Sequence, residues 1–259
     1  MATFLFDQIV FGPVRSRRLG VSLGINLLPV DKKFCNFDCI YCECGWTSRG
    51  DVRREELPDR GEVRRALEEK ILSMAEEDLV PDVITYAGNG EPTLHPDFEG
   101  IVDDSLEIRD RLCPEARIAV LSNATMLHRK SVFRGLKKSD QPILKLDTTV
   151  ESTYRLINQP LTRKNIATII KELKAFGPDA ILQTLFLKGR FRGEPVDNTT
   201  EEELVPLLEA YRAIRPASVM VYTFARDTAA DHLEKIPGEK LNEIARRIEE
   251  LGIPTEVSS

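Results

Sequence analysis

Phe34-Cys35-Asn36-Phe37-Asp38-Cys39-Ile40-Tyr41-Cys42-Glu43-Cys44 holds four of the chain's five cysteines. The first three follow the spacing C-x3-C-x2-C. A short loop with that spacing can wrap one cubane and set three sulfurs on three irons. The fourth iron then has no protein ligand, and an open metal position is what a catalytic site needs and a structural site avoids. The same residues also permit a four-cysteine zinc site that recruits Cys44. Zinc knuckles, however, usually pair two well-separated C-x2-C hooks, and here the thiols are packed together. Cys44 is therefore read as a non-ligand, and Cys113, before Pro114, as an ordinary cysteine. An odd, clustered set also argues against a secreted disulfide scaffold.

Outward from this run, short apolar stretches alternate with amphipathic ones. Strands are predicted at 22–28, 83–86, 118–121, 143–146, 181–187 and 218–222. Several are nearly continuous in apolar residues, as strands buried on both faces are. Helices are predicted at 61–76, 98–111, 163–176, 201–212 and 239–251. Thr200 with Glu203 has the pattern of a capping box. Gly177 and Gly252 stand where helices should stop, each followed closely by a proline. Pro206 falls in the first turns of the fourth helix, where it is tolerable. Residues 44–60 and 188–198 read as loops able to cover a site. Alternating strands and helices predict an α/β fold, a partial (β/α)6 TIM-like barrel with mostly parallel strands. Residues 1–259 read as a single domain, with a core at about 20–225 and a C-terminal helix and short strand within 239–257. The C-terminal ends of the strands should carry the site.

Composition sets the outer limits. With 42% hydrophobic residues the chain can bury a sizeable core. A net charge of −6 provides no global drive toward nucleic acid or anionic membrane, although a local basic patch could still act. No apolar run approaches the roughly 20 residues of a membrane span. The first residues lack a basic leader and a small-residue cleavage site, so a cytoplasmic protein with no membrane partner is expected. His95, His128 and His232 lack ligand spacing and are assigned no role.

Polar motifs fall at predicted strand ends. Tyr86-Ala87-Gly88-Asn89-Gly90-Glu91-Pro92-Thr93 follows the second strand, where glycines let a backbone approach closely and Glu91 supplies a carboxylate. The bland reading is a turn, for which Gly-Asn-Gly is good chemistry. Ser122 and Asn123 end the third strand and could equally cap a helix. Lys145 and Asp147 share one face of the fourth strand, either as an internal ion pair or as groups facing a ligand. Gln183 and Thr184 are weaker candidates of the same kind. Arg15, Arg17 and Arg18 could clamp a phosphate or carboxylate.

With Tyr41 as its aromatic residue, the cysteine run resembles the signature of the radical S-adenosylmethionine (SAM) superfamily. The resemblance implies a 4Fe-4S cluster on Cys35, Cys39 and Cys42, with SAM chelating the open iron. It further implies reductive cleavage of SAM to a 5′-deoxyadenosyl radical that abstracts hydrogen from a substrate. Gly88, Gly90 and Glu91 resemble the family's Gly-Gly-Glu-Pro motif, which binds the SAM ammonium. Ser122, Asn123, Lys145 and Asp147 are then expected around SAM. The segments 11–26, 35–45 and 154–160 resemble a little-characterised family related to wyosine-type tRNA-modifying synthases. Those synthases carry a second cluster on extra N-terminal cysteines, and no cysteine precedes Cys35 here. The resemblance thus implies an iron–sulfur oxidoreductase acting on an unidentified substrate, with RNA a candidate, and a reductant such as a flavodoxin or ferredoxin. The alternatives are a glycyl-radical-activase-like modifier of a protein partner and a non-enzymatic zinc module.

Overall fold

The computed structural model describes residues 4–16, 20–48 and 53–258, apart from the side chains of Arg15 and Ser16. Its centre is an eight-stranded sheet. In chain order the strands are β1 (Val10–Ser16), β2 (Gly20–Ile25), β3 (Val83–Tyr86), β4 (Arg117–Ser122), β5 (Gln141–Lys145), β6 (Ile181–Leu185), β9 (Ser218–Tyr222) and β11 (Thr255–Ser258). They lie side by side in that order, and every neighbouring pair from β2 to β11 is parallel. Only β1 runs antiparallel, along one edge. The parallel strands are apolar on both faces because helices cover one side and the barrel interior the other; every residue of β3 and β6 is buried.

Helices follow the strands. They are α1 (Arg60–Glu76), α2 (Phe98–Leu112), α3 (Lys130–Lys138), α4 (Glu151–Ile157), α5 (Ile166–Phe176), α6 (Glu201–Ile214) and α7 (Gly238–Glu249). α1 shows how the sequence sets such an element. Asp59 caps it by accepting from Glu62 N–H at 2.8 Å, while Glu62 reaches back to Asp59 N–H at 2.7 Å. Val63, Leu67, Ile71 and Met74, at helical spacing, form its buried stripe. The mixed α/β architecture with a mostly parallel sheet is the expected one, and the six predicted strands all belong to it.

Several details differ from the sequence reading. Residues 188–198 are not a loop: β7 (Leu187–Phe191) and β8 (Glu194–Asp197) form a hairpin, and β10 (Leu233–Lys235) joins it as a small antiparallel sheet. The strand predicted at 181–187 therefore ends at Leu185 and restarts as β7. Thr200 precedes α6 without a side-chain cap. Its supposed partner Glu203 is buried and accepts instead from Thr148 and Thr153, both at 2.5 Å. The helix predicted from 163 begins at Ile166 because Asn165 caps it, accepting from Thr168 N–H at 2.9 Å. α3 and α4 were not expected. Among the described residues no helix is long and apolar enough to cross a membrane.

Candidate functional site

Leaving β2, the chain enters the cysteine segment, 26–48, which has no regular element beyond isolated bridges. Two neighbours hold its backbone. On one side Phe34 N–H donates to Asn89 O at 2.8 Å, and Glu91 N–H donates to Phe34 O at 3.1 Å. On the other, Asp38 N–H donates to Asn158 O at 3.0 Å and Ile40 N–H to Ile157 O at 2.9 Å. The glycine at 90 is explained by the first contact. Its φ is +141°, and a Cβ there would overlap the Phe34 carbonyl. The open side of this glycine admits the cysteine loop itself.

Asn89, which splits the expected Gly-Gly pair, has its own reason. Its side chain is fully buried. The amide donates to Phe6 O at 2.9 Å and Pro29 O at 2.8 Å, and its oxygen accepts from Phe6 N–H at 2.8 Å. It therefore ties the N-terminal segment to the glycine turn.

Between these loops and the ends of β4 to β6 lies a cavity of about 160 Å³. Cys35, Cys39 and Cys42 line it together with Tyr41, Gly88, Gly90, Glu91, Ser122, Asn123 and Lys145. Cys44 is also at its wall, with its thiol 3.5 Å from Gly88 O. Asp147 stands behind the wall rather than in it. Its carboxylate accepts from the Tyr41 hydroxyl, from Asn158 Nδ2 at 2.7 Å and from Leu185 N–H at 3.0 Å, with Lys145 Nζ 3.5 Å away. Gln183 reaches the cavity; Thr184 turns away to Leu146 O and the Tyr211 hydroxyl. A wider groove of about 800 Å³ is lined by Asp38, Trp46, Arg155 and Arg192, none of which lines the cysteine cavity. Arg17 and Arg18 lie outside the described residues. Arg15 belongs to β1, where it pairs with Val21.

The electrostatics follow from burial. Desolvation raises the Cys35 thiol far above its ordinary range, against the pull of Lys33. It pushes Cys39 up to about 11, opposed first by Lys145. Cys42 falls to about 6, chiefly through a hydrogen bond from Cys44 and in spite of burial. Burial also raises the Glu91 carboxyl. Hydrogen bonds oppose that rise: Asn123 N–H donates at 2.6 Å, Thr93 Oγ1 at 2.5 Å, Ser122 Oγ at 2.9 Å and Thr93 N–H at 3.1 Å. Burial alone would lower the Lys145 ammonium, but Asp147 and then Tyr222 raise it overall. Three soft donors lining one cavity with Lys33, Lys145 and Glu91 suit a metal–sulfur group and a zwitterionic ligand side by side.

Two site residues escaped the sequence reading. Lys33 is buried against the cysteine loop. Asn158 places its amide 3.5 Å from Cys39 Sγ and 3.3 Å from the Tyr41 hydroxyl. Asn158 lies inside the segment 154–160 that carried part of the family resemblance, which was the one available signal. Lys33 had only its position two residues before Cys35.

Comparison with known proteins follows the same lines. A UPF0026 protein of Methanocaldococcus jannaschii is 29% identical over 234 residues, covering 87% of this chain and 66% of its own length. One from Helicobacter pylori is 31% identical over 188 residues, covering 70% and 57%. The GTPase Obg of Brachyspira hyodysenteriae is 28% identical over 244 residues, covering 93% and 33%. The chain thus spans two thirds or less of these relatives. Among solved structures, a radical SAM methyltransferase from Sphaerobacter thermophilus superposes with a TM-score of 0.68 at 14% identity, over 92% of this chain and 65% of that one. Streptococcus suis SuiB bound to S-adenosylmethionine gives 0.63 at 18%, over 91% and 50%. Archaeal TYW1 gives 0.54 at 14%, over 88% and 71%. These likenesses concern the fold. The Radical SAM superfamily model matches residues 32–198, more than half of the sequence and all of the cysteine cavity's wall, and by that match the chain belongs to the radical SAM superfamily.

Proposed function

We propose that Cys35, Cys39 and Cys42 hold a 4Fe-4S cluster and that Gly88, Gly90, Glu91, Ser122, Asn123 and Lys145 hold S-adenosylmethionine beside it. The observation that carries this reading is the single cavity shared by those three thiols and those polar groups. When bound, the cluster supplies the electron that splits SAM into methionine and a 5′-deoxyadenosyl radical able to take a hydrogen atom from a substrate.

The chain's own residues do the rest. Glu91, fixed by four donors, presents a buried anion to the SAM ammonium. Lys145, braced by the Tyr222 hydroxyl at 3.1 Å, presents a cation to the SAM carboxylate. Ser122 and Asn123 offer neutral groups for the ribose. Tyr41, held through Asp147, packs beside the thiols and, with Phe37, keeps water from the wall. The donor of electrons is a separate protein of the flavodoxin or ferredoxin kind, and the enzyme is an oxidoreductase in that sense.

RNA is the substrate class proposed. It rests on the resemblance to tRNA-modifying proteins and on Arg190 and Arg192, exposed on the β7–β8 hairpin. Lys188 contributes less, because Glu234 pairs with it at 3.3 Å. Anaerobic reconstitution, reduction and chromatography test the chemistry. The wild type should release 5′-deoxyadenosine and Cys39→Ala none. Equal release from both would end the reading. Release that RNA stimulates in a salt-dependent way would support the substrate class, and release indifferent to RNA would remove it.

A further inference from the structure

The Lys33 ammonium lies under the cysteine loop. Lys33 is only 3% exposed. Its Nζ donates to Gly45 O at 2.9 Å and to Asp38 Oδ1 at 3.3 Å. Lysine side chains ordinarily carry their charge out to water, and burying an ammonium is unfavourable unless it is paired. The available carboxylate is an incomplete counterion. Asp38 is at the long end of pairing distance, and the same oxygen accepts from Thr47 N–H at 2.6 Å. Lys33 also lines the cavity together with Cys35, Cys39 and Cys42.

The donors around the other thiols are neutral: Asn158 Nδ2 lies 3.5 Å from Cys39 Sγ, Asn123 Nδ2 lies 3.8 Å from Cys35 Sγ, and Phe37 N–H donates to Cys35 Sγ at 3.4 Å. Cys42 accepts from the neutral Cys44 thiol. Lys33 differs from all of these in bearing a full charge. Net charge and hydrogen bonds to the sulfurs are what set the potential of such a cluster. A charge fixed in a buried site acts more strongly than it would in water.

We propose that Lys33 is the positioning residue that sets the reduction potential of the cluster, by compensating the negative charge added with one electron. This rests on the ligation of the cluster by Cys35, Cys39 and Cys42 argued above. In the step concerned, an external one-electron donor is oxidised and the cluster is reduced. Lys33 keeps its proton, and no bond at Lys33 is made or broken.

The test is a mediator-poised redox titration of the reconstituted holoprotein, read by electron paramagnetic resonance, on wild type, Lys33→Met, Lys33→Arg and Asp38→Asn. At the potential where the wild type is half reduced, Lys33→Met should lower the reduced-to-oxidised ratio about tenfold, roughly 59 mV for one electron. Lys33→Arg should stay within about twofold. Asp38→Asn removes the opposing anion and should raise the ratio. A Lys33→Met protein with a full cluster and the wild-type ratio would overturn the proposal. If that variant takes up no iron, Asp38→Asn decides: a higher ratio supports the proposal, and an unchanged or lower one overturns it. A wild type that takes up no cluster would instead overturn the cysteine assignment beneath it, and the iron and sulfide count shows that before any titration.

Discussion

The cysteine segment, 26–48, has no strand beyond two isolated bridges, whereas the β7–β8 hairpin forms a regular ladder. Yet the polar side chains that fix the irregular segment are buried: Asn26, Lys33, Asn89 and Asn158. Those of the hairpin, among them Arg190, Arg192 and Glu194, stand in solvent. Regularity and fixation are thus separate properties. The hairpin draws its order from its backbone. The loop draws it from side chains and from backbone contacts with partners distant in the chain, and each buried polar group there is costly to leave unpaired.

That contrast can be broken at the loop with large effects and at the hairpin with small ones. Gly90→Ala should be the most damaging change. A methyl group would overlap the Phe34 carbonyl at a backbone angle that favours glycine, so we expect a loss on the order of 2–4 kcal/mol and little iron uptake. Denaturant midpoints and iron analysis measure both. Asn158→Leu comes next. It leaves Asp147 short of a donor and removes the N–H beside Cys39, for a loss of about 1–3 kcal/mol. A wild-type melting curve for that variant would contradict the account of how the loop is held.

His95, at the end of the turn that begins with Glu91, should give a smaller, pH-dependent effect. Its Nδ1 accepts from Asp97 N–H at 3.2 Å, which leaves Nε2–H to donate to Pro58 O at 2.9 Å. Burial lowers the proton affinity of this imidazole below the ordinary 6.5. As pH falls, the unfolded chain takes up the proton first, so the contribution is full above about 6.5 and fades below it. His95→Gln should flatten that part of a stability-against-pH curve, and an unchanged slope would count against the assignment. The smallest effect belongs to the hairpin. Lys188→Ala breaks a solvent-facing pair with Glu234 and should cost less than about 0.5 kcal/mol in thermal or chemical unfolding.

The same contrast explains what could be read from the residues alone. The parallel strands were legible because burial on both faces writes an unbroken apolar run, as in Val83–Tyr86. The thiols, the glycine turn and the polar ends of β4 and β5 were legible because each is a local pattern. Thr200 was misjudged because Glu203, three residues on, is claimed by Thr148 and Thr153 from elsewhere in the fold. The hairpin was missed because Gly189 interrupts the apolar face that Leu187 and Phe191 share, which leaves the alternation too short to stand out. α4 has only seven residues, too few for helical spacing to show. Lys33 and Asn158 were invisible because a lone polar residue acquires its meaning from partners far away, 119 positions for Asn158 and Cys39.

The proposed cluster would leave one iron open for a small zwitterion beside three cysteine-bound ones. Electron paramagnetic resonance of the reduced, reconstituted protein, recorded with and without S-adenosylmethionine, tests it most directly. The expected result is a 4Fe-4S signal whose g-values shift when S-adenosylmethionine is added and which is lost in Cys39→Ala. A signal indifferent to S-adenosylmethionine, or one zinc per chain with no such signal, would contradict it.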